Sequence, residues 1–214
     1  MKMVSRLVAC LAVLALVSAG AAFGGRGDPQ EKLTASDNAR ARSMLLRKAD
    51  LGPGFRATPA DRSEDSYCRA LDESDLTVTG RAISPSFRAA IFVVSSYADL
   101  YESLADANSS WQRGTSQAGQ ECLRELSRQE IQGARSRFVS FGKTALPRIA
   151  QRSIAYRIIG ERDGVRVYAD LIALQHSRAF AAIVFGSAYA PVPREAQVRF
   201  ARLVAQRMKT AMRG

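Results

Sequence analysis

Alternating hydrophobic and polar positions predict two neighbouring strands in the first half of the chain. Residues 76–83 alternate between apolar and polar side chains, whereas residues 88–96 contain an apolar run typical of a strand buried on both faces. Ser84, Pro85 and Ser86 supply the connection between them. We therefore predict strands over both segments, with the second strand in a central position of its sheet.

Apolar residues at helical spacing predict a helix near each end of the chain. The N-terminal one covers residues 34–49, with Thr34 or Ser36 as its N-cap, and ends before a run rich in glycine and proline. The C-terminal helix follows Pro193. Its apolar face is formed by Val198, Ala201, Ala205, Met208 and Met212.

Two central helices are predicted between the strand-rich regions. Residues 96–99 match a capping box, and apolar positions at helical spacing follow as far as Trp111. After a break at residues 113–116, the pattern recurs over residues 117–131. A helix with its tryptophan on the apolar face is typical of a core helix.

The last third of the chain predicts an antiparallel meander. Four strand segments follow one another, at residues 135–142, 151–160, 165–174 and 179–189. Asp163 and Gly164 form a strong two-residue hairpin signal, and residues 176–178 are expected to make the next turn. The predicted fold class is α+β: one antiparallel sheet of about six strands, with N-terminal, central and C-terminal helices packed on it.

The N-terminal region has the features of a secretory signal peptide. Lys2 and Arg6 precede a short apolar run and a cluster of small residues, which predicts a leader over residues 1–22. Residues 23–33 are polar and rich in glycine, as expected of a flexible tether. Residues 34–214 have the size of a single domain. We therefore expect an exported, extracytoplasmic protein of the cell envelope.

The expected compartment predicts the oxidation state of the cysteines. Cys10 lies within the predicted leader, which leaves Cys68 and Cys122 in the exported chain. Two thiols in an oxidising environment are expected to pair, and the closed loop would stabilise the fold by about 4 kcal/mol. A zinc site is the alternative, but these two thiols and His176 supply three of the four ligands that zinc needs. We predict the disulfide and no metal.

The formal charge of +11 narrows the class of partner. Outside the cytoplasm such an excess favours contact with anionic lipid or polymer and not with genomic nucleic acid, and the alternative is that the charge serves only the solubility of the chain. The C-terminal helix concentrates part of this charge opposite its apolar face. The stripe comprises Arg199, Arg202, Gln206, Lys209 and Arg213.

Motifs for catalysis are weak in this sequence. A histidine mechanism must use His176, which is expected in a surface turn, and no Gly-x-Ser-x-Gly frame surrounds a serine. Asp72, Glu73 and Asp75 lack the ligand spacing of a calcium loop. No phosphate-binding glycine motif predicts a nucleotide cofactor. Paired carboxylates for glycoside cleavage depend on a spatial separation that a sequence does not reveal.

Several phrases of the chain carry a resemblance to known proteins. They are ARSMLLRKADLGPGF, then DLTVTGRAISPSF, VVSSYADLYESL, ECL and VYADLIALQHSRAFAAIVFGSA. In their order they resemble secreted actinobacterial-type proteins of unassigned role. More distantly the chain is similar to PknH-like extracellular sensor domains and LpqN-type lipoproteins. That resemblance implies a PsbP-like sandwich and ligand binding or sensing, and it supplies no catalytic residues.

We interpret the chain as an exported, non-enzymatic binding or sensor-like domain for a small molecule or envelope component. Its ligand is expected in a cleft between helices and sheet, lined by Tyr97, Tyr101 and the C-terminal helix. No catalytic or cofactor-binding residue is assigned. One alternative is a cell-envelope hydrolase acting on glycan or ester bonds. Another is an interaction protein that docks on anionic polymer or lipid through its basic C-terminal helix.

Overall fold

The computed structural model describes residues 28–59, 68–134 and 136–213. The predicted signal peptide, residues 1–22, lies outside this part of the chain. The α-helices are α1 (Ala35–Met44), α2 (Leu104–Thr115), α3 (Gln117–Gly133) and α4 (Arg194–Ala211). The strands are β1 (Gln30–Glu31), β2 (Arg56–Thr58), β3 (Thr77–Ile83), β4 (Ser86–Ala89), β5 (Phe92–Tyr101), β6 (Arg137–Thr144), β7 (Arg152–Arg162), β8 (Val165–His176) and β9 (Ala179–Ala188).

The structure has the predicted mixture of helices and one sheet, but the sheet is larger than expected. It has nine strands in the order β1-β3-β5-β9-β8-β7-β6, with β4 also on β5 and β2 on β4. The prediction of about six strands is therefore wrong. The additional strands β1, β2 and β4 have two, three and four residues. Strands β1 and β2 leave no readable alternation, because they form only through pairing with distant strands. The strand predicted over residues 88–96 is instead divided between β4 and β5 by a tight turn at Ala90 and Ile91, where Ala90 has a φ of 49°.

The sheet is mixed and not wholly antiparallel as predicted. Strand β1 pairs parallel to β3, with Gln30 opposite Thr77. These two residues of β1 fall in the segment predicted to be a flexible tether, so the folded domain begins before residue 34. Both β1 side chains are exposed, and backbone hydrogen bonds such as Gln30 N–H to Leu76 O hold the strand. A hydrophobic pattern therefore could not have revealed it.

Strand β5 is longer than predicted, and it replaces the first turn of a predicted helix. Residues 96–99 do not form a capping box, since β5 continues to Tyr101 and pairs with both β3 and β9. Helix α2 begins after Ser103, whose hydroxyl accepts a hydrogen bond from Asp106 N–H. Pairing on both sides of this segment overrides the local capping signal.

The predicted meander is confirmed in the last third of the chain. Strands β6 to β9 are adjacent and antiparallel in sequence order. Asp163 and Gly164, with φ of 52° and 75°, form the tight turn between β7 and β8. Ser177 also has a positive φ, of 53°, in the turn that leads into β9. These left-handed residues match the right-handed twist of the strands they connect.

The helices cover both faces of the sheet. Helices α1 and α4 pack on one face over a single large apolar cluster, which includes Met44, Leu100 and Ile183. Helices α2 and α3 pack on the opposite face, where two smaller clusters form around Ile131 and around Val78. Three layers result, with the central strands β5, β9 and β8 buried between helices.

Helix α4 buries a face rotated from the predicted one. Ala201 and Met208 are buried as predicted, whereas Val198 and Ala205 are only partly covered. The sequence analysis left out Phe200, whose ring packs 6.1 Å from that of Phe185. Because this ring has the largest apolar area on the helix, it determines which face meets the sheet. The predicted basic stripe remains exposed.

A partly buried ion pair fixes helix α1 to the sheet. Arg178 donates to both carboxylate oxygens of Asp37, each at 2.9 Å, and also to the hydroxyl of Thr79. These hydrogen bonds lower the pKa of Asp37 to about 2. Helix and strand also approach closely at Gly80, where an added Cβ would lie 2.4 Å from the Asp37 backbone.

Cys68 and Cys122 are joined in a disulfide, as predicted, with their Cα atoms 6.2 Å apart. Cys68 directly precedes a short 3₁₀ helix, Arg69–Leu71, and Cys122 is buried in α3. The bond therefore ties the segment that begins at residue 68 to the helical layer on one face of the sheet.

Removing the disulfide should destabilise the fold substantially. Cys68→Ala/Cys122→Ala is expected to lower the free energy of unfolding by about 4 kcal/mol, because the cross-link restricts the unfolded chain. Denaturant unfolding followed by circular dichroism measures this change. A reductant should shift the wild type to the midpoint of the variant and leave the variant unaffected. A variant as stable as the oxidised wild type would contradict the expected role of the bond.

Candidate functional site

A cleft of about 80 Å³ lies between the helical layer of α2 and α3 and the sheet. Its walls come from β5, β7, β8 and β9, from α2 and α3, and from the segment that follows Cys68. The lining residues are Leu71, Glu73, Tyr97, Asp99, Tyr101, Ser110, Trp111, Gly114, Thr115, Leu123, Ile154, Tyr156, Leu171, Ala173 and Phe180. Many of these side chains are partly exposed, so solvent reaches the cleft.

Strand geometry explains why the polar wall comes from β5. Tyr97, Asp99 and Tyr101 alternate with Ala98 and Leu100, and alternate residues of a strand point to opposite faces of the sheet. Ala98 and Leu100 belong to the apolar cluster under α1 and α4. The three polar or amphipathic side chains consequently face α2 and line the cleft.

Aromatic rings form one side of the cleft. The rings of Tyr97 and Phe180 lie 5.8 Å apart between centroids, and those of Trp111 and Phe180 lie 6.5 Å apart. Neither pair is stacked, since the planes are inclined by 36° and 59°. Rings in such an arrangement form a concave, polarisable wall and not a flat stack.

Glu73 brings a carboxylate to the same cleft. The hydroxyl of Tyr101 donates to Glu73 Oε2 at 2.9 Å, and Ser110 Oγ lies 2.8 Å from the Tyr101 hydroxyl. Burial raises the pKa of Glu73, although the hydrogen bonds from Ser110 and Tyr101 act in the opposite direction. Burial also raises the pKa of Tyr101, with the neighbouring Glu73 charge adding to the effect. The two hydroxyls thus orient a carboxyl group whose pKa is raised by burial.

Asp99 is the second carboxylate of the cleft, and it is held by a guanidinium. Arg81 Nε lies 2.9 Å from Asp99 Oδ1, and Arg81 Nη2 lies 3.4 Å from Oδ2. Burial raises the pKa of Asp99, whereas the charge of Arg81 lowers it. Arg81 also donates to Glu31 of β1 at 2.8 Å. The charge of Asp99 is therefore balanced within the protein.

Two attachments hold the segment that carries Glu73. The disulfide at Cys68 fixes its beginning to α3. At its other end Arg113 of α2 donates to both carboxylate oxygens of Asp75, at 2.6 and 2.7 Å, and also to the Asp72 carbonyl. The segment is thereby attached to both helices that form the roof of the cleft.

The acidic cluster of the sequence does not converge on one ion. Asp72 accepts from Ser74 N–H at 3.0 Å, Asp75 pairs with Arg113, and Glu73 faces the cleft. In the part of the chain that the structure describes, no group of three or more His, Cys, Asp and Glu side chains is arranged to hold a metal ion. The carboxylates of this segment thus have separate structural partners.

His176 lies away from the cleft. It ends β8, its side chain is partly buried, and burial together with Lys209 and Arg213 lowers its pKa. Lys209 and Arg213 belong to the C-terminal helical region, on the opposite face of the sheet. Ser110, which lines the cleft, is therefore not paired there with the histidine.

The structure brings together some of the expected site residues and separates others. Tyr97 and Tyr101 line the cleft between helices and sheet, as the sequence analysis expected. The C-terminal helix does not contribute to it. Trp111 was interpreted as a core residue and Glu73 only as a calcium candidate. An alternating strand pattern that continues to residue 101 would have predicted that Tyr97, Asp99 and Tyr101 share one face. The interpretation of residues 96–99 as a capping box ended the predicted strand too early for this pattern to be used.

Comparisons with known proteins do not assign the chain to a family. No protein-family model matches it, and a search of curated proteins gives no significant match. Among the described residues, no helix is both long and apolar enough to cross a membrane. The interpretation of the site consequently rests on its own geometry.

The raised pKa of Glu73 predicts a pH dependence of stability. The folded protein holds the Glu73 proton more tightly than the unfolded chain, in which the pKa is 4.5. The contribution of this group to stability therefore falls as pH rises from 4.5 towards the folded-state pKa. Glu73→Gln should remove that decline and raise the free energy of unfolding at pH 7.

Denaturant unfolding at a series of pH values tests this expectation. The difference between wild type and Glu73→Gln isolates Glu73 from the other buried acids. Glu121→Gln, the same substitution at an exposed position of α3, is the control and should give a flat difference. A Glu73→Gln variant that is less stable than wild type at pH 7, or a flat difference curve, would show that burial does not dominate at this carboxyl.

Proposed function

We propose that this protein is an exported, non-enzymatic binding or sensor-like domain and that the cleft between α2, α3 and the sheet is its ligand site. The observation that carries the proposal is the convergence of Glu73, Ser110 and aromatic rings on one solvent-accessible space. Largely apolar clefts with a few placed polar groups are the usual form of small-molecule sites.

The size of the cleft limits what it binds. Its volume of about 80 Å³ corresponds to roughly three water-sized groups. Pockets for whole drug-sized molecules are several times larger, at about 300 Å³ or more. The ligand therefore inserts a head group or the end of a chain and leaves the rest of its body outside.

The disulfide supports an extracytoplasmic location, because such bonds persist mainly in oxidising compartments. The basic leader followed by an apolar run in the sequence points the same way. The helical layers on both faces of the sheet also agree in outline with the PsbP-like sandwich that the sequence resemblance implies. We accordingly place the domain in the cell envelope, with a ligand that belongs to that environment.

Hydrolysis of glycan or ester bonds is the less favoured function. Two carboxylates line the cleft, but Asp99 is engaged by Arg81 on both oxygens, so it is a poor partner for Glu73 in acid and base catalysis. Ser110 lacks a histidine neighbour in the cleft, since His176 lies elsewhere. A binding function requires neither a second catalytic carboxylate beside Glu73 nor a histidine beside Ser110.

The fluorescence of Trp111 tests the binding proposal directly, because it is the only tryptophan of the chain and lines the cleft. The probe is the neutral apolar dye N-phenyl-1-naphthylamine, which is larger than the cleft and is expected to insert only its phenyl ring. Titration of the dye into the protein should quench the emission of Trp111 in a saturable manner. Ala173→Leu, which fills the floor of the cleft, should weaken binding at least tenfold.

Ala39→Leu provides the matched control, since it makes the same change at an exposed position of α1. This variant should bind the dye as the wild type does. The proposal fails if the dye gives no saturable quenching, or if Ala173→Leu remains folded and binds with wild-type affinity.

A second candidate function is docking on an anionic envelope surface through α4. Four cations of its predicted stripe, Arg199, Arg202, Lys209 and Arg213, are exposed. An open groove of about 570 Å³ runs along the same helix, and three arginines, Arg194, Arg199 and Arg202, outnumber two carboxylates, Asp50 and Glu195, on its walls. A basic groove of this kind suits phosphate groups of lipids or an anionic polymer.

Sedimentation with phosphatidylglycerol vesicles tests the docking surface. Binding should occur at low ionic strength and disappear near 1 M salt, where charges are screened within about 3 Å. Arg199→Gln/Arg202→Gln/Lys209→Gln should abolish it. The control is Arg124→Gln/Arg128→Gln/Arg137→Gln, an equal charge change at exposed positions of α3 and β6. Salt-insensitive binding, or equal loss in both triple variants, would contradict a surface specific to α4.

A further inference from the structure

The carboxyl side chains that line the cleft contrast with the basic composition of the chain as a whole. The sequence contains 31 Lys and Arg residues against 20 Asp and Glu. The described residues that line the cleft include two carboxylates, Glu73 and Asp99, and no Lys, Arg or His. Two more carboxylates, Asp72 and Asp75, lie on the same segment as Glu73. Asp99 and Asp75 are each paired with an arginine, so among the described residues Glu73 is the carboxylate of the cleft that has no ion pair with a guanidinium.

The aromatic wall suits a cation as well as an apolar group. The face of an aromatic ring is electronegative, and it attracts a cation placed above it, most strongly when the ring is that of tryptophan. Trp111, Phe180 and Tyr97 form a contiguous cluster of mutually inclined rings. Inclined rings can surround a roughly spherical head group from several sides.

The two carboxylates are not equivalent as counter-ions. Asp99 is paired with Arg81 through both of its oxygens. Glu73 is hydrogen-bonded to two neutral hydroxyls, those of Tyr101 and Ser110. Of the described arginines, Arg113 also acts on Glu73 through its charge, but it forms its ion pair with Asp75. An ionised carboxylate in a buried position is costly without an opposite charge. A cationic ligand would supply that charge, whereas a neutral ligand would further desolvate Glu73 and an anionic one would be repelled.

We propose that the cleft binds the ammonium head of an organic cation, with Glu73 as the counter-ion and with Tyr97, Trp111 and Phe180 as the surrounding wall. This inference rests on the proposed binding function and specifies the class of ligand. A primary or methylated ammonium group at the end of a chain fits the volume of the cleft. The body of the ligand remains outside.

A charged and a neutral compound of the same shape test the inference. Choline carries a trimethylammonium group, and 3,3-dimethylbutan-1-ol is its uncharged carbon analogue. Trp111 fluorescence is followed while each is added to the wild type at pH 7 and constant ionic strength. Choline should bind at least tenfold more tightly than the alcohol, because the alcohol gains only the apolar contacts.

Variants then assign the preference to a residue. Glu73→Gln should reduce the ratio of the two affinities to near one, while Glu121→Gln, which changes the net charge equally at an exposed position of α3, should preserve it. The comparison of the two compounds on the wild type does not depend on how either variant folds.

The outcomes separate this inference from the proposed function. If choline and the alcohol bind equally, or neither binds while N-phenyl-1-naphthylamine still quenches Trp111, the cleft is a ligand site without cation preference and the inference is overturned. A wild-type preference that Glu73→Gln leaves intact also overturns it. If neither compound nor the dye affects Trp111, the proposed function itself fails.

Discussion

The disulfide between Cys68 and Cys122 holds a short acidic segment against the helices above the sheet. The non-covalent contacts of this segment include the pair between Arg113 and Asp75 and the hydrogen bond from Tyr101 to Glu73. Exposed pairs of this type contribute about 1 kcal/mol or less. The covalent bond therefore adds a constraint at the beginning of the segment that these contacts do not supply.

The two faces of the sheet explain where the cleft lies. Under α1 and α4 the apolar side chains form one continuous cluster. Under α2 and α3 they form two separate clusters, one near Ile131 and one near Val78. The cleft lies between these, where Leu171 borders the first cluster and Tyr101 belongs to the second. Part of its wall therefore belongs to the packed clusters on either side of it.

Much of the architecture could be predicted from the sequence because it depends on local patterns. The meander from β6 to β9 has long strands and turns with a specific chemistry, such as Asp163 and Gly164. The disulfide followed from compartment and cysteine count. The end of β5 could not be predicted in this way, since residues 97–101 resemble a helix start until their pairing with β3 and β9 is known.

The site was harder to predict than the fold. Tyr97 and Tyr101 were expected to line a cleft, but Glu73 and Trp111 meet there only because the disulfide and α2 bring distant segments together. The spacing of residues along the sequence does not predict that these two side chains lie close together. The charge of the chain pointed to anionic partners, whereas the sign inside the cleft depends on which carboxylates the fold places there.

The central claim is that the ligand of this protein contacts the cleft itself. Intermolecular nuclear Overhauser effects between N-phenyl-1-naphthylamine and the oxidised, isotope-labelled protein measure this contact. We expect cross-peaks from the dye to ring protons of Trp111 and Phe180, and none to the exposed side chains of α4. Cross-peaks confined to α4, or to residues outside the cleft, would contradict it.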